Sequence, residues 1–392
     1  MLNRELENTI SKKVNSGKAI IIVGPRQTGK TTLLKKIVKK YKNSLYLNAD
    51  DPFVNSQLTG ASLSSLKQTL KNSKYVFIDE AQRIKNIGLT LKLIIDEIPN
   101  IQLFVSGSSS LDIASDVNEP LTGRKWEYNL FPVSWQEYYN HFGNIETLRS
   151  FEQRLIFGMY PDVINRIGDE IDTLSQLCDS YLYKDVLAYK DIRRPELLNN
   201  LLNALALQLG SEVSYNDLSN LLQVDKNTII NYISLLEQCF VIFKLNSFSR
   251  NLRNELNKSR KIYFYDNGIR NSIINNFNPL NKRQDVGALW ENFMITERMK
   301  YLHYNNIRCK TYFWRTWQQQ EIDYIEERDG KLFAFEFKFS PLKKSKISKT
   351  FINAYPDSEI SLINSANFNN FIFYGSANCR SFNNLRTSTD DI

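Results

Sequence analysis

Residues 19–31 read Ala19-Ile20-Ile21-Ile22-Val23-Gly24-Pro25-Arg26-Gln27-Thr28-Gly29-Lys30-Thr31. Five apolar residues ending in glycine predict a short buried strand. Residues 31–42 (TTLLKKIVKKYK) predict an amphipathic helix with Leu33, Leu34, Ile37 and Val38 on one side. The link between them matches G-x-x-x-x-G-K-[ST] in its required strand-to-helix setting. The two glycines let the backbone curl so that successive N–H groups face an anion, and the helix N-terminus adds a partial positive charge. Gly24, Pro25, Arg26, Gln27, Thr28, Gly29, Lys30, Thr31 and Thr32 are therefore the expected nucleotide-binding residues. ATP with Mg²⁺ is the expected cofactor pair, with Lys30 on the β- and γ-phosphates and the Thr31 hydroxyl on the metal.

Working outward, residues 45–50 and 75–81 (YVFIDEA) predict strands, as do residues 101–108. Residues 62–72 and 88–98 predict the helices between them. Strands separated by helices imply a parallel sheet covered on both faces. The fold class expected is α/β. The apolar run Tyr75-Val76-Phe77-Ile78 brings Asp79 and Glu80 to a strand end beside the loop. Asp79 is the expected Mg²⁺-shell carboxylate and Glu80 the expected catalytic residue that polarises water, the alternative for Glu80 being a helix-start acid. Ser106 or Ser108, at the end of the next strand, is read either as a γ-phosphate sensor or as part of a Gly-Ser turn. Arg124 follows a glycine turn. It is read as an arginine finger acting in trans in a homo-oligomer, an internal sensor, or a surface arginine.

Further along, residues 196–210, 215–222 and 226–238 predict helices, with Ser214 and Asp225 as N-caps. With a strand over 239–246 they make a helix-turn-helix and hairpin, the winged-helix pattern. Strands return at 261–266, 311–315, 321–327 and 332–339, with a helix over 285–305 and a hairpin turn at Arg328-Asp329-Gly330.

GPRQTGKTTLL, YVFIDEAQRI, FVSGSSSLDI, LTGRKWEYNLFPVSWQEYY and GMYPDVI occur in that order. Together they resemble a large group of prokaryotic AAA-type ATPases with a C-terminal restriction-endonuclease-like domain of unknown function, over about residues 15–375. The resemblance implies an AAA-type ATPase domain (1–140), a helical region with a winged helix (141–250) and a restriction-endonuclease-like α/β domain (251–392). One departure is that serines stand on the sensor strand where many AAA enzymes carry asparagine.

Asp323, Glu336 and Lys338 form D-x12-E-x-K, which resembles the PD-(D/E)xK nuclease signature. Strand alternation puts Glu336 and Lys338 on one face and Phe335, Phe337 and Phe339 on the other. Asp323 and Glu336 are then expected metal ligands, joined by Glu291 from the helix, with Lys338 orienting the nucleophile or neutralising charge.

The chain has 392 residues and a net charge of +8. Residues 1–50 carry eleven basic and three acidic side chains, residues 101–250 twelve and nineteen, and residues 251–350 nineteen and eleven. The winged-helix segment has a poor charge for phosphate, whereas Arg250, Arg253, Lys258, Arg260 and Lys261 surround the single acid Glu255. Residues 250–261 and the C-terminal domain are therefore the expected DNA contact, with a solvated charged loop as the alternative. Two histidines exclude a three-histidine metal site, and the spacing of Cys178, Cys239, Cys309 and Cys379 excludes a CxxC framework. No apolar run reaches the ~20 residues of a membrane span. The N-terminal MLNRELENTI lacks the apolar core of a signal peptide. No membrane partner and a cytoplasmic location are expected. The function expected is an Mg-dependent ATPase coupled to a DNA-associated nuclease-like domain. The alternatives are a non-cutting DNA-binding ATPase and a protein-binding signalling switch with a degenerate nuclease fold.

Overall fold

The computed structural model describes residues 2–107, 120–179, 194–248, 259–316, 318–343 and 348–373. The N-terminal part is a five-stranded sheet with every neighbouring pair parallel. Its strands are β1 (Ala19–Val23), β2 (Ser44–Asn48), β3 (Tyr75–Asp79), β4 (Gln102–Gly107) and β5 (Lys125–Asn129), in the order β2-β3-β4-β1-β5. The all-apolar strand β1 serves both faces. Ile20 and Ile22 pack with Leu33, Leu34 and Ile37 of helix Lys30–Val38, while Ile21 and Val23 pack with Leu91 and Ile94 of helix Ile87–Glu97. This double burial is why the strands read as continuous apolar runs and not as alternation.

The remainder is built on a seven-stranded mixed sheet of β6 (Glu212–Val213), β7 (Ile242–Ser247), β8 (Arg260–Phe264), β9 (Lys310–Arg315), β10 (Glu321–Arg328), β11 (Lys331–Phe337) and β12 (Glu359–Ile363). The order is β12-β11-β10-β9-β7-β8-β6. Helices Tyr215–Leu222 and Lys226–Gln238 precede β7. Ser214 and Asp225 cap them as expected, each accepting from the backbone N–H three residues on. β7 pairs antiparallel with β8 and parallel with β9. The division drawn at residue 250 therefore falls inside one continuous sheet, and one apolar core runs from Val133 to Ile372. Asp329 and Gly330 turn the β10–β11 hairpin with φ of 49° and 77°, the left-handed pair that a two-residue turn requires.

The two sheets meet across helix Val286–Tyr304 and the segment after β5. Asn129 N–H donates to His303 Nε2 at 3.0 Å, Phe131 N–H to the Tyr304 hydroxyl at 3.2 Å, and Trp135 N–H to Glu297 Oε2 at 2.6 Å. Because His303 Nε2 accepts a hydrogen bond, the ring is neutral there, and burial depresses its pKa in the same direction. The described cysteines Cys178, Cys239 and Cys309 are free thiols. Among the described residues no helix is long and apolar enough to cross a membrane.

Candidate functional site

Strand β1 delivers the chain to the loop at its C-terminal end. A Cβ on Gly24 would lie 2.3 Å from the Leu130 carbonyl oxygen, so the wall built by the segment after β5 admits only glycine there. Gln27 (φ 57°) and Gly29 (φ 93°) take left-handed conformations that curl the loop. Helix Lys30–Val38 then begins with no side-chain cap on its first amides. Uncapped amides at a helix start suit an anion. Lys30 is buried and donates to the carbonyls of Gly24 at 2.8 Å and Pro25 at 2.6 Å. The Thr28 hydroxyl donates to Pro25 O at 2.9 Å, while Thr31 is half-buried and Thr32 exposed.

Asp79 ends β3 and is 2% exposed. β4 lies between β3 and β1, pairing Ser106 with Ile22, so the sequence places a hydroxyl between the two motifs. The Ser106 hydroxyl donates to Asp79 Oδ1, and Tyr46 from β2 donates to Oδ2 at 2.5 Å. Burial raises the Tyr46 pKa and Asp79 raises it further, keeping that proton on the phenol. The donor set of the Thr31 hydroxyl and the Asp79 carboxylate is hard oxygen, as Mg²⁺ requires. Glu80 follows in a left-handed conformation and accepts from Gln82. Ser108 lies outside the described residues.

Arg124 is not with this group. Ala19 N–H donates to Arg124 O at 2.9 Å, which puts the arginine at the N-terminal end of β1, the opposite end of the strand from the loop. At roughly 3.3 Å per residue, β1 holds them about 13 Å or more apart. Arg124 pairs there with Asp96 at 2.7 Å. As placed, Arg124 is out of reach of its own chain's loop, because the parallel β5 starts at the far end of the strands.

In the second sheet, β10 and β11 set Asp323 and Glu336 side by side, as the hairpin register predicts. Phe335 and Phe337 turn to the other face and pack on Phe371. Asp323 Oδ2 accepts from Phe337 N–H at 2.8 Å, and Lys338 Nζ lies 3.2 Å from Glu336 Oε2 and 3.9 Å from Asp323 Oδ2. Burial, then the neighbouring Asp323, push Glu336 up to about 8. Glu291 joins the group from helix Val286–Tyr304. Its Oε1 accepts from Lys261 Nζ at 2.9 Å and from the Tyr263 hydroxyl at 2.5 Å. Burial pushes Glu291 up to about 7 against the pull of Lys261, with Asp323 adding to the rise. Lys261 also pairs with Glu321.

The expected metal trio and the neighbouring Glu321 together share two lysines, Lys261 and Lys338, so four acids crowd two ammoniums. Among the described residues no three His, Cys, Asp or Glu side chains are gathered to hold a metal ion. The Phe337 N–H, Lys338 and Lys261 each engage one oxygen of Asp323, Glu336 and Glu291, respectively. Lys261 corrects a second expectation. It is 1% exposed and spent on two carboxylates, so it is not a surface cation for DNA. Arg260 stacks on the Tyr215 ring, its guanidinium 4.1 Å from the centroid. Arg250, Arg253, Glu255 and Lys258 lie outside the described residues. Tyr46 and Tyr263 escape sequence reasoning as site residues, and Lys261 is read there only as a DNA contact, since each sits within a strand with nothing but strand parity to show which way it points.

Residues 16–139 match the model of a family described as AAA domain. Residues 148–280 and 286–387 match two families described as domains of unknown function, DUF8612 and DUF4143. An uncharacterized protein of Methanocaldococcus jannaschii is 25% identical over 93% of this chain and 84% of its own length. One of Mycobacterium tuberculosis is 26% identical over 86% of this chain and 73% of its own. A Walker-type ATPase of Pyrococcus abyssi superposes with a TM-score of 0.49 at 13% identity, covering 70% of this chain and 96% of that one. The AAA match, spanning the loop and Asp79, supports an AAA-type P-loop ATPase with a nucleotide site.

Proposed function

We propose that the chain is an Mg-dependent ATPase that acts as a switch on a nuclease-like C-terminal body. The observation that carries this reading is the meeting of the curled loop, buried Lys30 and the Asp79–Ser106 pair at one sheet edge. Loop amides and Lys30 bind the phosphates. Tyr46 and Ser106 orient Asp79, and Glu80 takes the proton of the attacking water. Bound Mg²⁺ would neutralise phosphate charge during transfer.

The proposed output is the C-terminal body, divided as a helical region with a winged helix (141–250) and a restriction-endonuclease-like part (251–392). Its helix-turn-helix with an antiparallel hairpin, and the Asp323/Glu336/Lys338 constellation, support that reading. DNA is the proposed partner. Glu336 and Glu291, pushed up to about 8 and about 7, hold protons near neutral pH in place of open carboxylates, which favours the non-cutting form of the reading: DNA is bound and not cleaved. Arg124 remains a candidate only for a role in trans, between copies of the chain.

Phosphate release from ATP by the full chain tests the core. Lys30→Ala is expected to abolish turnover, and unaltered turnover sinks the ATPase reading. Adding DNA is expected to stimulate turnover in a salt-sensitive way without cutting. Cleavage that Asp323→Ala abolishes would replace the non-cutting form with a nuclease.

A further inference from the structure

Arg4 lies before the first helix, and no motif includes it. Its side chain is nonetheless among the most committed in the molecule. Nε donates to both oxygens of Glu137 at 3.0 Å, one terminal nitrogen donates to Phe131 O at 2.6 Å, and the other to Thr28 O at 2.5 Å. The residue is 8% exposed and Glu137 1%. Thr28 belongs to the phosphate loop. Phe131 belongs to the segment that walls Gly24, and Glu137 opens the helix Trp135–Arg149, where it closes a capping box with Ser134.

The position is held from both sides. Helix Leu6–Ser11 buries Leu6 and Ile10 against Leu33, Leu34 and Ile37 of the helix that follows the loop. Glu7 pairs with Lys36 of that helix at 2.7 Å and with Lys40, just past its end, at 2.5 Å. Glu137 Oε1 also accepts Glu5 N–H at 2.8 Å, and Oε2 accepts Ser134 N–H at 2.9 Å. The guanidinium cannot slide without breaking several of these bonds.

The consequence follows from peptide geometry. In a trans peptide the C=O and the next N–H point in opposite directions. With the Thr28 carbonyl drawn to Arg4 on the outer side of the loop, the Gly29 N–H is aimed inward. A charged donor on the carbonyl also polarises that peptide and strengthens the N–H as a donor. From this geometry we infer that Arg4 is a positioning residue for the phosphate cradle, orienting and polarising the Thr28–Gly29 peptide while tying it to the helical body through Glu137. The ligand is the diphosphate portion of a nucleotide. The inference rests on the nucleotide-site reading above.

The test uses the full chain with MgATP and MgADP. The Arg4→Met/Glu137→Gln double variant removes both charges together and leaves no buried charge unpaired. Arg4→Lys keeps the charge but cannot span three acceptors. In the double variant KM for ATP is expected to rise roughly tenfold and MgADP binding to weaken roughly tenfold, with kcat within about twofold. Arg4→Lys is expected to fall between it and the parent chain. A purely structural role predicts the opposite split, because partial unfolding removes active molecules, lowering kcat and leaving KM alone. That split, or ADP affinity unchanged in both variants, overturns the inference. Should the double variant fail to fold, Arg4→Lys decides by the same criteria. Failure of the parent chain itself to bind MgATP would sink the nucleotide-site reading and the inference with it. Normal binding by the parent and by both variants sinks the inference alone.

Discussion

Two sites in this molecule use the same three residue types and neutralise them differently. At the first, Lys30 donates to loop carbonyls, and Asp79 is held by neutral hydroxyls from Ser106 and Tyr46. At the second, Lys338 and Lys261 pair directly with Glu336, Glu291 and Glu321. Lys30 sits among loop carbonyls where an anion would arrive, and a carboxylate held by hydroxyls keeps its charge for an incoming cation. At the second site four acids share two lysines, and burial with crowding pushes Glu336 up to about 8 and Glu291 up to about 7, so protons take up part of that charge. The first site is built to receive ligand charge, whereas the second balances its own with ammoniums and protons.

The widest separation between the sites is expected in turnover. Glu80→Gln removes the proton acceptor and is expected to slow ATP hydrolysis by about 100-fold or more while leaving nucleotide binding in place. Asp323→Asn with Glu336→Gln is expected to leave basal hydrolysis within about twofold. A large fall in basal hydrolysis from the second pair would break the comparison, since the sites would then be one machine. Single-turnover phosphate release measures both.

The next test is of stability. Lys261→Met strips the shared counter-charge from Glu291 and Glu321 in a buried setting, and removing one partner of such a group costs about 3–5 kcal/mol. Urea unfolding should show that loss. Adding Glu291→Gln should recover a good part of it. A loss under about 1 kcal/mol would mean that water, not Lys261, solvates those acids.

The same contrast explains what could be read from the chain alone. Strands β1, β3 and β4 are apolar runs with motif residues at their ends, so fold and first site come together. β5 (Lys-Trp-Glu-Tyr-Asn) escapes because an edge strand is half polar, and with it goes the edge on which Arg124 lies. The Asp323–Glu336 pairing was legible because a two-residue turn sets the register. Lys261 was not, because charge counts carry no burial. The β7–β9 pairing that carries the sheet past residue 250 joins Asn246 to Tyr312, a non-local contact with no local signal.

The smallest effect concerns an acid beside Arg4, near the first site. Glu5 is half-buried, and burial, then Glu137 and Glu297, push its carboxyl up to about 7. Unfolded, it titrates near the ordinary value of about 4.3. The folded state therefore holds this proton more tightly. The stability it lends is full below about pH 4 and is lost as pH rises through 7. Glu5→Gln removes the titration and leaves the backbone N–H bond to Glu137 intact. After allowance for solvent screening, the variant is expected to be more stable than the parent by about 1–2 kcal/mol at pH 8, with the gain shrinking toward pH 5. Urea midpoints at the two pH values measure it. An equal gain at both would trace the effect to something other than charge. A loss at pH 8 would mean that Arg4, 8% exposed beside it, stabilises Glu5 as a carboxylate at that pH and outweighs the burial that pushes its pKa up.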